Sequence, residues 1–512
     1  MSYFKEILSA RSEVNSVQND RCSRRIIHRP FPLSRNVLGL TSGLIIFLLT
    51  MSVGAAQRSA AQRPKAKKTA DATVCPLAPL TVGQVNARYF VDGCGNPVYL
   101  TGSHTHLSLK DGGDRPPEIS PFDYKQYLAL MEANGHNLMR MWSGWELTMF
   151  EPQPWKRTGP GNARDGKLKF DLTQLDEAYF ERLRARVMEA RDRNIYVSVM
   201  LFEGWLLRFV SDSAAQHPFN SANNINGIEA DANRDGKIIE AHTLNNPALT
   251  AIQEAYVKKV IDTLNNFDNV LYEIANESVF PGSVKWQYHM IDYVKKYQAA
   301  KPKQHPVGMT SAGFSSTYDD LPELLNSPAD WISPGRPLSL AHDYLEDPPA
   351  ADGSKVIISD SDHLARELKN SSWIWKSMTR GLNPIFMDAY PPLDSLAQGD
   401  VSEIRKNLGY ARSYAEKVSL PTMTPRAELA STKYALANPG TEYLVFQPSS
   451  GAVTVTLENG QYNYEWFNPA TGLVADAGSF STSAGDKTLA PPFVGSAVLL
   501  IQSVNAGPQT LP

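Results

Sequence analysis

Cysteine is scarce in this 512-residue chain: Cys22, Cys75 and Cys94 are all there is, and their spacing resembles no metal site. An excess of either charge is also missing. With 50 Lys and Arg against 53 Asp and Glu, the formal charge is −3, which gives no reason to expect nucleic acid or an anionic membrane surface as a partner. Any small-molecule partner is therefore expected to be neutral or mildly polar. No Gly-rich phosphate loop follows the first predicted strand, where a nucleotide-binding open sheet usually carries one. No long-period repeat is apparent.

Long apolar runs are limited to residues 37–56, VLGLTSGLIIFLLTMSVGAA, which follow Arg21, Arg24, Arg25, Arg29 and Arg35 and end in small residues. That pattern reads as a secretory signal over residues 1–56, or, if it stays uncleaved, as a single-span anchor. A membrane is expected as a partner only through this segment. Residues 1–56 hold seven Lys or Arg against three Asp or Glu, so the remainder carries −7 and suits a soluble protein that is secreted, periplasmic or at the cell surface. Residues 57–80 begin small and basic, without apolar periodicity, as a flexible linker. In an oxidising compartment Cys75 and Cys94 could close a loop, the alternative being two free thiols.

Short apolar runs then alternate with helical patterns. Strands are predicted over 98–101, 137–141, 195–201, 270–274, 306–310, a weak one at 331–333 or 338–341, then 356–358 and 384–387. Between them lie stripes of period near 3.6, such as Phe180, Leu183, Val187, Ala190 and Ile252, Tyr256, Val260, Leu264. Eight strand–helix alternations, with strands too apolar to face water on either side, predict an α/β fold: a (β/α)8 TIM barrel over residues 81–421. A doubly wound open sheet is the competing architecture. Residues 422–512 change to strands without helices and predict a small all-β sandwich, with Asn459-Gly460 turning the run Val453, Val455, Leu457 back into Tyr462, Tyr464, Trp466.

In a barrel the C-terminal strand ends carry the chemistry. The run VLYEIANE ends in Asn276-Glu277, a polar pair that would face the mouth; capping the next helix is its bland reading. Other polar residues fall at strand ends too: His104 and His106 after the first, Arg140 and Trp142 after the second, Glu203 and Trp205 after the third. His342 and Tyr344 precede the seventh, Asp360, Asp362 and His363 end it, and Asp388 and Tyr390 end the eighth. Singly, His104, His106 and Asp388 are as well explained by structural roles; their shared location argues for a site.

Arg140 in NLMRMW, Asn276-Glu277, His342 with Tyr344, and a carboxylate after KVIIS occur in the order found in glycoside hydrolase family 5 and its clan of retaining (β/α)8 glycosidases, which the chain resembles over most of its length after residue 80. The phrases ISDSDH and GLNPIFMDAY resemble a cellulase-like group. The tail, from YLVFQPSSGAVTVTL through EWFNPATG to PPFVGSAVLL, resembles the collagen-binding-type β-domain that often follows such barrels; its aromatic strands fit an ordinary sandwich core equally well.

The resemblance implies cleavage of O-glycosidic bonds in a poly- or oligosaccharide without a cofactor or metal, by a chain expected to be a monomer. Glu277 is then the acid/base, Arg140 orients the nucleophile, Asn276 meets a sugar 2-hydroxyl, and His342 and Tyr344 line the subsite at the cleaved bond. His104, His106, Trp142, Glu203, Trp205, Asp362, His363 and Asp388 are further candidate substrate contacts. The nucleophile position falls on Asp360, where the clan has Glu. That departure leaves open Asp362 as the attacking group and an inverting mechanism. Glu277 and Asp360 are 83 residues apart in sequence, against about 93 for three βα units, consistent with fourth and seventh strands.

Two other readings compete. A catalytically silent carbohydrate- or matrix-binding protein would keep the barrel as scaffold, and a metal-dependent hydrolase would use His104, His106 and nearby carboxylates. Finally, Asp231, Asn233, Asp235 and Gly236 match the first half of a calcium loop, but position 12 is His242, so a polar turn in a long cleft-side loop over 208–243 is favoured.

Overall fold

The computed structural model of the chain describes residues 78–505 except 107, 111–121, 149–150, 211, 281, 314–317, 337–342, 365–369, 389 and 391–399. The apolar run at 37–56, Cys75 and His342 lie outside the described residues. Cys94 is disulfide-bonded.

Eight parallel strands close into a barrel in chain order: β1 (Gly102–His104), β2 (Leu138–Met141), β3 (Tyr196–Glu203), β4 (Val270–Asn276), β5 (Val307–Thr310), β6 (Trp331–Ser333), β7 (Val356–Asp360) and β8 (Asn383–Met387). The weak sixth strand is thus resolved at 331–333. The first lies later than predicted. Val98 belongs instead to a three-stranded antiparallel sheet, pairing with Phe90. The parallel strand starts at Gly102, where a Cβ would lie 2.0 Å from the Leu138 carbonyl oxygen, so only glycine permits that approach.

Three of the helices outside the barrel start where the sequence supplies a side-chain cap. Asp123 accepts the Gln126 amide at α1 (Tyr124–Ala133), Asp176 that of Ala178 at α2 (Glu177–Arg191), and Asn246 that of Leu249 at α3 (Pro247–Leu264). Phe180, Leu183, Val187 and Ala190 are buried as their spacing requires, as are Tyr256, Val260 and Leu264. The helices α4 (Ser283–Gln298), α5 (Leu321–Asn326), α6 (Ser372–Thr379) and α7 (Ser402–Ala415) complete the ring.

Side chains alternate along a strand, and this stacks the barrel interior in two layers. Leu138, Leu271, Val356, Ile358 and Ile385 pack with Leu80, Phe90 and Leu100 from the N-terminal segment. Two residues onward on β2, β4 and β7 stand Arg140, Glu273 and Asp360, all buried. The apolar layer therefore supports a polar one at the C-terminal ends. A hairpin that the sequence reading did not anticipate, Trp155–Asn162 with Leu168–Leu175, lies between β2 and α2.

The C-terminal module is a sandwich, but its pairing differs from prediction. Its larger sheet runs β9 (Thr424–Pro425), β10 (Ala435–Asn438), β11 (Glu442–Gln447), then the last strand β16 (Ala497–Ser503), β13 (Gly460–Asn468) and β14 (Leu473–Thr482). β12 (Val453–Leu457) pairs with β15 (Gly485–Leu489) and not with β13. Asn459-Gly460 thus carries the chain across the sandwich instead of closing a hairpin, because Val453, Val455 and Leu457 bury themselves against Tyr462 and Trp466 of the facing sheet. The opposite face of the larger sheet, with Leu444, Phe446, Phe467, Val498 and Leu500, is buried in the same core as Trp375 of α6 and Tyr414 of α7. Barrel and module form one compact unit.

Candidate active site

Arg140, rooted on β2, organises the polar layer. Its Nε and Nη2 donate to Oε2 and Oε1 of Glu273 at 2.8 and 2.6 Å, a two-pronged bond that fixes the guanidinium plane. The other edge is thereby aimed outward: Nη1 donates to Asp360 Oδ2 at 3.3 Å and Asp362 Oδ2 at 3.0 Å, and Nη2 also reaches Asn276 Oδ1 at 2.5 Å. The guanidinium carbon stands over the Trp142 ring, 5.1 Å from its centre.

Asp360 ends β7. Its Oδ1 accepts from His104 Nε2 at 2.9 Å and from the Asp362 amide at 2.9 Å. Trp142 Nε1, which can only donate, gives its proton to His104 Nδ1 at 3.0 Å. His104 must then carry its own proton on Nε2 and donate it to Asp360, so the tautomer follows from the partners. Burial would raise the Asp360 carboxyl, but the bond from His104 and the charge of Arg140 outweigh it and hold the group well below the ordinary carboxylate range.

Asn276 ends β4, tied at both ends of its amide. Oδ1 accepts from Arg140 and from His363 Nε2 at 3.2 Å, and Nδ2 donates to Glu203 Oε1 at 2.9 Å. His363 Nδ1 takes the Ser333 hydroxyl at 2.9 Å. Burial and the charge of Arg140 lower the His363 pKa, so the ring is neutral at pH 7. Glu203 also accepts the Trp205 amide at 2.8 Å, and burial together with Glu146 pushes its carboxyl up to about 8.

Glu277 follows at φ +42°, left-handed backbone that a glutamate rarely adopts. Its carboxylate is buried, contacts Arg208 Nη2 at 3.4 Å and lies against Gly313, where a Cβ would come within 2.6 Å of its Cδ. Arg208 in turn lines a cleft of about 800 Å3 with Thr243, Leu244, Phe280 and Lys285. The next residue, Ser278, shares a 2.6 Å bond with His242 Nδ1, and His242 stacks on Trp286 at 4.1 Å. The long cleft-side loop is therefore pinned beside Glu277. Within that loop Asp231 accepts the amides of Asp235 and Gly236, a polar turn.

Of the residues singled out from sequence, His104, Arg140, Trp142, Glu203, Asn276, Asp360, Asp362 and His363 form one connected network. His106 packs its ring on Trp142 at 4.7 Å, and Trp205 joins through its backbone. Asp388 goes elsewhere: both its oxygens are gripped by Arg405 of α7 at 2.7 Å. Tyr344 is buried with its hydroxyl pKa raised by burial and the charge of Asp352. Sequence reasoning missed Glu273, Arg208, Ser278 and Glu146. Glu273 carried a usable signal, an acid two residues from Leu271 on the inward face of an otherwise apolar strand.

Among the described residues no group of three His, Cys, Asp or Glu is arranged to hold a metal ion. His104 has both ring nitrogens engaged by Trp142 and Asp360, which leaves it no lone pair for one. No described helix is long and apolar enough to cross a membrane.

Residues 132–319 match a protein family described as a domain of unknown function, DUF6298. That span runs from the end of α1 past β5 and holds Arg140, Glu203, Glu273, Asn276 and Glu277. No curated protein matches the chain. Among solved structures, one described as a glycoside hydrolase aligns with a TM-score of 0.55 at 11% identity, covering 84% of this chain and 98% of its own. A glycoside hydrolase family 5 structure from Bacteroides vulgatus aligns with a TM-score of 0.54 at 12% identity, covering 83% of this chain and 94% of its own. At these identities the likeness is one of fold.

Proposed function

We propose that this protein is an exported, retaining glycoside hydrolase acting on a neutral poly- or oligosaccharide, with Asp360 as nucleophile and Glu277 as acid/base. The observation that carries the reading is the pairing of an Asp360 carboxylate kept ionised by Arg140 and His104 with a strained glutamate at the end of β4. Asp360 attacks the anomeric carbon while Glu277 protonates the departing glycosidic oxygen. Glu277 then takes a proton from the water that hydrolyses the glycosyl ester.

The electrostatics support this division of labour. One guanidinium faces the carboxyl groups of Glu273, Asp360 and Asp362, so acidic oxygens line the barrel mouth around Asp360. The ionised Asp360 stabilises the positive charge that develops on the sugar ring in an oxocarbenium-like transition state. Asn276 has both acceptor positions of Oδ1 filled and one Nδ2 hydrogen committed to Glu203. Its second hydrogen is the donor for a substrate hydroxyl.

Export through residues 1–56 is part of the proposal, supported by the basic-then-apolar pattern and by the disulfide at Cys94, a bond that persists in oxidising compartments. Sequencing the N-terminus of the secreted protein tests it.

The main test is hydrolysis of a panel of aryl glycosides and polysaccharides, with Glu277→Gln, Asp360→Asn and Asp362→Asn run beside the parent chain. The first two are expected to lower activity about 10²–10⁴-fold, the third much less, with retention of anomeric configuration. Full activity in both Glu277→Gln and Asp360→Asn would sink the assignment, and a dominant loss in Asp362→Asn would move the nucleophile there.

A further inference from the structure

We propose that Glu203 is a positioning residue that holds the nitrogen end of the Asn276 amide, and so aims the Asn276 N–H that no described residue engages at the sugar 2-hydroxyl, without touching substrate itself. This rests on the function proposed above.

The geometry begins with what each partner can do. Arg140 donates to Asn276 Oδ1, as an arginine must. His363 Nε2 donates there too, because an amide oxygen only accepts, and this leaves its Nδ1 to receive the Ser333 hydroxyl. These two bonds identify which end of the amide is oxygen and hold that end, and the nitrogen end needs a partner of its own. Among the described residues, Glu203 Oε1 is the acceptor on the nitrogen side, at 2.9 Å. With the nitrogen end held as well, the amide is kept from tilting about its single side-chain torsion, and the direction of the remaining N–H is set.

Glu203 is itself held in place by its own contacts. It closes β3, it is buried, and Oε1 also receives the Trp205 amide at 2.8 Å from the turn that follows. One oxygen thus serves the strand end and Asn276 together. The charged and titratable groups acting on it are Glu146, Asp362 and, through its own shift, Arg208. Burial and Glu146 push Glu203 up to about 8, and burial pushes Glu146 up to about 7. A neutral carboxyl still accepts through its carbonyl oxygen. It does so without adding another buried charge to the Arg140 cluster, and a glutamine has the same shape and the same acceptor.

The test uses matched aryl glycosides with and without the 2-hydroxyl, on the parent chain, Glu203→Leu and Glu203→Gln. An N–H that strengthens its bond in the transition state acts on kcat more than on KM. Glu203→Leu is therefore expected to lower kcat about 100-fold on the 2-hydroxy substrate, with KM within about threefold of the parent. On the 2-deoxy substrate the same variant should match the parent, and Glu203→Gln should retain most activity on both. Adding Glu203→Leu to Asn276→Ala should cost little beyond Asn276→Ala alone.

Equal losses on the two substrates would overturn the proposal in favour of a general structural role. Crystal structures of the two variants give a readout independent of turnover: Asn276 rotated in Glu203→Leu and unmoved in Glu203→Gln supports the assignment, and Asn276 unmoved in both overturns it. A parent chain inert on every glycoside would count against the glycosidase reading, while the orientation of Asn276 in these structures would still decide the role of Glu203.

Discussion

Glu277 occupies a backbone conformation that costs of order 1–3 kcal/mol for a residue with a Cβ, and the surrounding structure enforces it. The carboxylate is held between Arg208 and the bare Cα of Gly313, while Ser278 is fastened to His242. Gly313 has φ +83°, so a substitution there is strained as well as crowded. Gly313→Ala should displace Glu277 by about an ångström and reduce kcat by roughly 100-fold, with unfolding measured in parallel to show that the fold survives. A variant that folds and keeps parental kcat would remove Glu277 from the reaction. How far such details can be read from sequence depends on how local their cause is. Asn276-Glu277, Arg140 and Asp360 stand at strand ends and announce themselves by position. His104 was seen as a candidate ligand, yet its role is fixed by a proton from Trp142, a partner 38 residues away, and no spacing rule encodes that. Arg208 and Glu146 matter through burial and neighbouring charge, which exist only once the chain is folded.

Strand existence was legible because buried parallel strands are apolar runs, and strand parity correctly stacks Leu138 under Arg140 and Leu271 under Glu273. Pairing was less legible. An Asn-Gly turn reads the same whether the chain returns within a sheet or crosses to the facing one, and at residues 459–460 the burial of β12 against Tyr462 and Trp466 decides for crossing. The hairpin at 155–175 escaped notice because WKRTGPGN carries few apolar residues and no alternation, although Leu168, Phe170 and Leu172 in LKFDLTQL do alternate with polar residues. Within the barrel, β5 and β6 meet where Gly308 faces Trp331, with room for no side chain: an added Cβ would sit 1.9 Å from the Trp331 ring. Trp331 is buried in the lower apolar layer, so it cannot swing into solvent. Gly308→Ala should destabilise the protein by about 3 kcal/mol, seen as a lowered midpoint in urea. An unchanged midpoint would mean that the inner layer repacks more freely than this geometry allows.

The module after residue 421 is fused to the barrel by a continuous core. Phe467 lies 5.0 Å from the Tyr414 ring and 5.3 Å from Tyr410, and Phe446 6.5 Å from Trp375. Removing residues 422–512 would leave these barrel aromatics in water, so the truncated chain is expected to aggregate, and the parent chain to melt in a single calorimetric transition. Two well-separated transitions, or a soluble and folded barrel alone, would show that the shared face contributes little. The six-stranded sheet adds a consequence in time. Its last strand in sequence, β16, lies between β11 and β13 and pairs with both. During synthesis from the N-terminus, neither half of that sheet has its neighbour until residues 497–503 emerge from the ribosome, and the flank of the barrel beneath it stays uncovered until then. A nascent chain in this condition is expected to stay open to chaperones, its six-stranded sheet closing only once β16 is available to pair.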